Sequence, residues 1–102
     1  MSKVPGTRTD SAVGDARYDV TFTGHVQGVG FRWTTCRVAE RFDVNGWVRN
    51  EPDGTVLCVA EGDRQQLDEF VAAVQSAMAG NIDDTRITRG TPRGDLDNFG
   101  IR

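Results

Sequence analysis

The sequence predicts an α+β domain with a ferredoxin-like two-layer sandwich, in which two helices cover one face of an antiparallel sheet. The chain has 102 residues, a length typical of one domain. Two segments carry apolar residues at helical spacing, and the segments around them alternate apolar and polar side chains. These elements follow one another in the order β-α-β-β-α-β, which is the order of that fold.

The first strand is predicted at residues 18–23, where Tyr18, Val20 and Phe22 alternate with polar side chains. Residues 1–17 are rich in Gly, Ser, Thr and Asp and show no periodicity. They are therefore expected to form a disordered tail, which leaves 18–102 as the folded domain. Apolar residues then recur at helical spacing from Phe31 to about Phe42, which predicts the first helix.

A hairpin follows the first helix. Strands are predicted at residues 46–50 and 55–61, joined by a turn in which proline fixes one φ angle and Asp53-Gly54 supplies a positive one. Asp63 and Gln66 resemble a capping box at the start of a second helix. The apolar stripe of that helix comprises Leu67, Phe70, Val71, Val74 and Met78. A fourth strand is expected at 82–89 and a short fifth strand at 99–102.

Composition excludes several functional classes. The formal net charge is −3, whereas nucleic-acid binders usually carry a basic surplus, so no nucleic-acid partner is expected. No run approaches the ~18 apolar residues of a membrane span, and the start of the chain shows no signal peptide. Cys36 and Cys58 lie in no CxxC motif and suggest buried, reduced thiols rather than a disulfide framework or a metal site. A cytoplasmic location is predicted.

The stretch GHVQGVGFR, at residues 24–32, lies between the first strand and the first helix. Gly28 and Gly30 permit backbone conformations that aim successive N–H groups at one point. The first N–H groups of a helix also have no partner inside it and carry partial positive charge. Arg32 in the first turn is unfavourable for the helix dipole, unless an anion lies between the two.

This pattern alone leaves two interpretations open, namely an anion cradle and a flexible turn with an arginine nearby. No GK[ST] follows the glycines as in a Walker loop, and the GxGxxG spacing of dinucleotide-binding loops is missing. Asn50, taken by itself, is typical of a residue that ends a strand at a turn.

Two motifs together resemble the signatures of the acylphosphatase family. The first is residues 24–32. The second is Gly46-Trp47-Val48-Arg49-Asn50 and its continuation through 53–56 to Glu61-Gly62. The resemblance extends from Tyr18 to Arg102 and includes the Phe-x-Ile-Arg ending. It implies an enzyme that hydrolyses small-molecule acyl phosphates to a carboxylate and inorganic phosphate, with neither metal nor cofactor.

The resemblance also implies a role for each site residue. Arg32 would clamp the phosphoryl group and Asn50 would orient the attacking water. The backbone cradle would comprise Gln27, Gly28, Val29, Gly30 and Phe31 together with Arg32. The sequence departs from the family pattern at Glu51 and Pro52, where relatives often have a small polar residue first, and Glu51 adds a negative charge near the site.

Two other functions compete with this one. A non-catalytic anion-binding or regulatory domain would keep the cradle without useful turnover. A ferredoxin-like RNA binder would need exposed aromatic residues on the sheet face without helices, where the sequence instead places Leu57 and Val59. Those two residues suggest at most a weak dimer patch, and a monomer is expected.

Overall fold

The computed structural model describes residues 15–102 and has the predicted β-α-β-β-α-β order, followed by the predicted short fifth strand. The strands are β1 (Asp15–Gly24), β2 (Val44–Asn50), β3 (Val56–Asp63), β4 (Ile82–Gly90) and β5 (Phe99–Ile101), and the helices are α1 (Phe31–Ala39) and α2 (Arg64–Ala77). Residues 1–14 of the predicted tail lie outside this description. Asp15, Ala16 and Arg17 belong to β1, which therefore begins before the predicted start at Tyr18.

The sheet has the strand order β4-β1-β3-β2-β5. Its first four strands are antiparallel to their neighbours, as predicted. The prediction of an antiparallel sheet is wrong for β5, which pairs in parallel with β2 and makes the whole sheet mixed. β4 ends beside Arg17, at the end of the sheet where β2 begins. The following residues, 91–98, cross the sheet at this end, so β5 starts beside the start of β2 and runs in the same direction.

The core lies between the sheet and the two helices. The predicted inward residues of β1, Tyr18, Val20 and Phe22, are buried, because the two-residue period of a strand places them on one face. The predicted stripe of α2 faces them, and Phe70 packs edge-on against Phe99 of β5 with ring centroids 5.4 Å apart. The carboxylate of Asp63 accepts from the backbone N–H of Gln65, so Asp63 is the N-cap of α2, as predicted. Gln66, the predicted partner in a capping box, instead accepts from the backbone N–H of Asp43 at 2.9 Å.

Residues 91–98 are held to the sheet face that carries no helix. The buried carboxylate of Glu61 accepts hydrogen bonds from the backbone N–H groups of Arg93 and Gly94 at 2.9 and 3.1 Å, and from the Arg17 guanidinium at 2.7 Å. Val59 on this face is only 2% exposed. The suggested dimer patch is therefore wrong for Val59, which is buried rather than presented to a partner.

Trp47 lies on the same face, since it pairs across the sheet with Val59. Its ring is mostly buried, and the guanidinium groups of Arg49 and Arg102 lie 4.9 and 4.7 Å from its centroid. Trp47 is thus a packing residue on this face of the sheet.

Candidate functional site

The strand register brings the two predicted halves of the site to the same end of the sheet. Val56, the first residue of β3, pairs with Phe22 of β1 on one side and with Asn50 of β2 on the other. β1 and β2 both run antiparallel to β3 and therefore point the same way. As a result the glycine-rich loop that follows β1 emerges close to Asn50.

The loop backbone has the conformation that the glycines were expected to allow. Gly28 and Gly30 have φ angles of 77° and 76°, in the left-handed region that other residues adopt at a cost. A Cβ atom at either position would meet nothing within 4 Å, so glycine is needed here for backbone conformation and not for space. Gly30 is also the N-cap residue of α1.

Helix α1 directs its free backbone donors toward this loop. Its first intrahelical hydrogen bond runs from the N–H of Thr34 to the carbonyl of Gly30 at 2.9 Å. The N–H groups of Phe31, Arg32 and Trp33 precede that bond and have no acceptor within the helix. The helix start is anchored by the buried ring of Phe31, which packs on Phe22 with ring centroids 5.0 Å apart.

A cavity of about 170 Å³ opens at this point, here called the Arg32 cavity. Five of the residues predicted for the site line it: Gly28, Gly30, Phe31, Arg32 and Asn50. Val26, Trp33 and Ile101 complete its wall. Within residues 15–102, neither the Arg32 guanidinium nor the Asn50 amide makes an ion pair or a side-chain hydrogen bond. Both polar groups are therefore available to a ligand.

Gln27 and Val29 were predicted as cradle residues, but neither lines the cavity. Val29 packs against the core. The side-chain amide of Gln27 donates to the backbone carbonyls of Glu51 and Thr55 at 2.8 and 2.9 Å. Gln27 thus ties the glycine-rich loop to the turn that directly follows Asn50, and this contact fixes the two halves of the cavity relative to each other.

The turn after Asn50 is ordered by its own contacts. Asp53 accepts from the backbone N–H of Thr55 at 3.0 Å and from its hydroxyl at 2.7 Å. These hydrogen bonds, the one from the hydroxyl most of all, hold the pKa of Asp53 below its ordinary value of 3.8. The carboxylate therefore remains ionised at neutral pH and continues to accept both bonds.

The negative charge of Glu51 is paired and lies away from the cavity. Its carboxylate accepts from Nε of Arg49 at 2.7 Å, and Glu51 is not among the cavity-lining residues. Arg49 and Asn50 are successive strand residues, so their side chains point to opposite faces of the sheet. The Arg49–Glu51 pair thus belongs to the face without helices, whereas Asn50 belongs to the cavity.

Trp33 and Ile101 also line the cavity, although neither was predicted as a site residue. Trp33 offered a signal, because it is a large apolar residue outside the buried stripe of α1, which is formed by Phe31, Thr35, Val38 and Ala39. Ile101 offered none, since its position depends on the parallel pairing of β5.

Residues 15–102 contain neither a cluster of metal ligands nor a helix that could span a membrane. No group of three or more His, Cys, Asp or Glu side chains is placed to hold a metal ion in this part of the chain. Neither α1 nor α2, the helices described, is long and apolar enough to cross a membrane.

Comparisons with known proteins agree with this architecture. The sequence model of the acylphosphatase family matches residues 18–101. An acylphosphatase of Nocardioides sp. is 45% identical over 92 residues, which cover 87% of this chain and 92% of that protein. The crystal structure of acylphosphatase from Bacillus subtilis matches with a TM-score of 0.76 and 32% identity, and covers 85% of this chain and 98% of the other.

An acylphosphatase structure from Coxiella burnetii has a TM-score of 0.78 and 25% identity, and the match covers 92% of this chain and 99% of that one. The similarity therefore spans nearly all of the described residues and nearly the full length of each relative. It includes the loop before α1 and the strand that ends in Asn50, which together form the Arg32 cavity. This chain belongs to the acylphosphatase family.

Proposed function

We propose that this protein hydrolyses acyl phosphates and that the reaction takes place in the Arg32 cavity. One observation carries the proposal: a single cavity combines two glycines with positive φ, the start of a helix, and an arginine and an asparagine amide that are both unpaired within residues 15–102. The positively charged group and the N–H donors suit a phosphoryl group, and the amide suits a water molecule.

Arg32 and the backbone donors would bind the phosphoryl oxygens from two sides. A guanidinium presents a planar fork that matches two phosphate oxygens at once. The N–H groups at the start of α1 add further donors together with the positive end of the helix dipole. These groups are in place before the substrate arrives, so they stabilise the charge of the transition state without reorganisation.

Asn50 would position the attacking water. In the proposed step the water oxygen forms a bond to phosphorus, and the bond between phosphorus and the acyl oxygen breaks. The carboxylate leaves with the bonding electron pair, and the water proton passes to the phosphate product. Because a carboxylate is a good leaving group, positioning and charge stabilisation suffice, and no strong general acid is required.

Direct attack by water is favoured over a covalent thiol intermediate. Neither cysteine lines the cavity. Burial raises the pKa of Cys58 above its ordinary value of 9.0, and burial followed by the nearby charge of Glu40 raises that of Cys36. Both thiols are therefore protonated at neutral pH and are poor nucleophiles.

The test is steady-state hydrolysis of benzoyl phosphate, followed by its absorbance in a buffer that contains EDTA. Turnover above the buffer rate is expected, since no metal takes part in the proposed reaction. Arg32→Ala should lower kcat/KM at least about 10²–10³-fold and abolish competitive inhibition by inorganic phosphate. Asn50→Ala should lower kcat by a similar factor, while phosphate inhibits within about twofold of the wild type.

Two control variants match these substitutions. Arg64 occupies the first turn of α2, as Arg32 does in α1, but lies outside the cavity. Asn45 lies on the same strand as Asn50 and is exposed. Arg64→Ala and Asn45→Ala should keep wild-type rates. Phosphate binding without any turnover by the wild-type protein would instead identify a non-catalytic anion-binding domain.

We further propose that the protein acts as a monomer in the cytoplasm and has no nucleic-acid partner. The free state of both cysteines suits a reducing compartment. The net charge of −3 opposes binding to polyanions. Light scattering at working concentrations should give the mass of one chain, and filter binding at low salt should retain no RNA.

A further inference from the structure

Two large hydrophobic side chains are exposed in the part of the chain described, and both line the Arg32 cavity. Trp33 is 62% exposed and Ile101 is 50% exposed. They come from different elements, α1 and β5, whose meeting depends on the long-range pairing of β5 with β2. Exposed apolar area is costly in water, so two such residues at one opening indicate a surface that a ligand covers.

The cavity combines a polar interior with this apolar opening. Its polar groups are the Arg32 guanidinium, the Asn50 amide and the loop backbone, whereas Trp33 and Ile101 are apolar. Its volume of about 170 Å³ is below the ~300–1,000 Å³ of typical small-molecule pockets. A phosphoryl group bound to Arg32 would occupy the polar interior, and the remainder of the substrate would then extend over the apolar opening.

Trp33 is held in place before any ligand binds. The guanidinium of Arg37, one helical turn further along α1, lies 5.3 Å from the centroid of the indole ring. Nε of Arg37 is in turn 3.7 Å from a carboxylate oxygen of Glu40. A side chain restrained in this way loses less conformational entropy on binding, so it is a better contact surface than a freely rotating one.

From these observations we infer that Trp33 and Ile101 form an acyl-binding surface that favours aromatic and extended apolar acyl phosphates over small ones. The inference rests on the proposed function, because it assigns the second half of the same substrate. Arg32 recognises the phosphoryl group that every acyl phosphate shares. Trp33 and Ile101 distinguish between acyl groups, through contact area that acetyl phosphate is too small to use.

The test compares kcat/KM for benzoyl phosphate and acetyl phosphate in the wild type and in three variants. Trp33→Ala should lower kcat/KM for benzoyl phosphate by about 5–20-fold and that for acetyl phosphate by no more than about twofold, as expected for a half-exposed apolar contact. Trp33→Phe should retain most of the preference. Ile101→Ala should reduce it in the same direction and by a smaller factor, since less contact area is removed.

Controls separate this inference from the proposed function. Leu96→Ala removes a large apolar side chain that does not line the cavity and should leave the ratio of the two kcat/KM values unchanged. Inhibition by inorganic phosphate should also be unaffected in Trp33→Ala. If the wild type hydrolyses both substrates while Trp33→Ala lowers both equally or neither, the acyl-binding surface is refuted and the enzyme stands. If the wild type hydrolyses neither, the proposed function itself fails.

Discussion

Gln27 is the residue whose substitution tests how the two halves of the cavity are held together. Its amide nitrogen donates to the carbonyls of Glu51 and Thr55. Each of these carbonyls also accepts a backbone hydrogen bond, from Gly54 at 3.1 Å and from the N–H of Glu51 at 2.9 Å, respectively. Gln27→Ala therefore removes two hydrogen bonds without leaving either carbonyl entirely unpaired.

The number of hydrogen bonds lost sets the expected effect on the free energy of unfolding. Two net hydrogen bonds at about 0.5–1.5 kcal/mol each give a loss of about 1–3 kcal/mol in the free energy of unfolding. Because both carbonyls keep a partner, the lower half of that range is expected. The value of kcat should fall as well, by about 10-fold or more, since a small displacement between Arg32 and Asn50 disturbs their alignment with the substrate.

The assays are urea unfolding and benzoyl phosphate hydrolysis with inorganic phosphate as the inhibitor. Phosphate inhibition should change little in Gln27→Ala, because Arg32 and the glycine loop remain. Gln65→Ala is a matched control, since among the described residues the amide of Gln65 donates only to Glu69, on the exposed surface of α2. A Gln27→Ala protein that loses stability but keeps wild-type kcat would refute the positioning role and leave a purely structural one.

Two further predictions concern the loop and the buried carboxylate. Gly30→Ala should cost about 1–2 kcal/mol of stability, because only the positive φ opposes alanine there, and should weaken phosphate inhibition. Gly90→Ala, where φ is not positive, should be close to neutral in the same urea titration. Burial raises the pKa of Glu61, but hydrogen bonds from Arg93, Arg17 and Gly94 outweigh it and hold that pKa below the ordinary 4.5. A depressed pKa stabilises the fold above the ordinary value, and this contribution is lost as the pH falls through the folded-state pKa. Glu61→Gln should therefore cost about 1–3 kcal/mol at neutral pH and progressively less as the pH falls below 4.5 through the folded-state pKa; a difference independent of pH would contradict the assignment.

Local periodicity was enough to predict the core. Side chains along a strand alternate between the two faces of the sheet, and the helices cover one of these faces. Tyr18, Val20 and Phe22 share the covered face and are therefore buried. The end of α1 was less predictable: the helix ends at Ala39, although Phe42 keeps the apolar spacing and packs against the core from the following turn. Helical spacing reports where side chains pack, whereas the end of a helix is set by its backbone.

The direction of β5 could not be predicted, because it depends on where β4 ends and on how residues 91–98 are held by Glu61. The sequence of β5 itself contains no signal for its direction. The glycines and Arg32 of the loop suggested an anion cradle, whereas Asn50 was assigned to the site only through the resemblance to the acylphosphatase family. The contacts of Gln27 and the location of Ile101 could not be predicted, because both arise between segments that are distant in sequence.

The shared pairing of Val56 with Phe22 and Asn50 also links the cavity to folding. β1 and β2 do not pair with each other, so a chain with β1, α1 and β2 formed but β3 undocked would contain both halves of the cavity and no binding site. Contacts of this kind close late, since loop-closure entropy must be overcome first. A ligand of the Arg32 cavity would therefore bind only the fully assembled sheet and stabilise it by mass action. Its affinity would report the completion of folding rather than the formation of any single element.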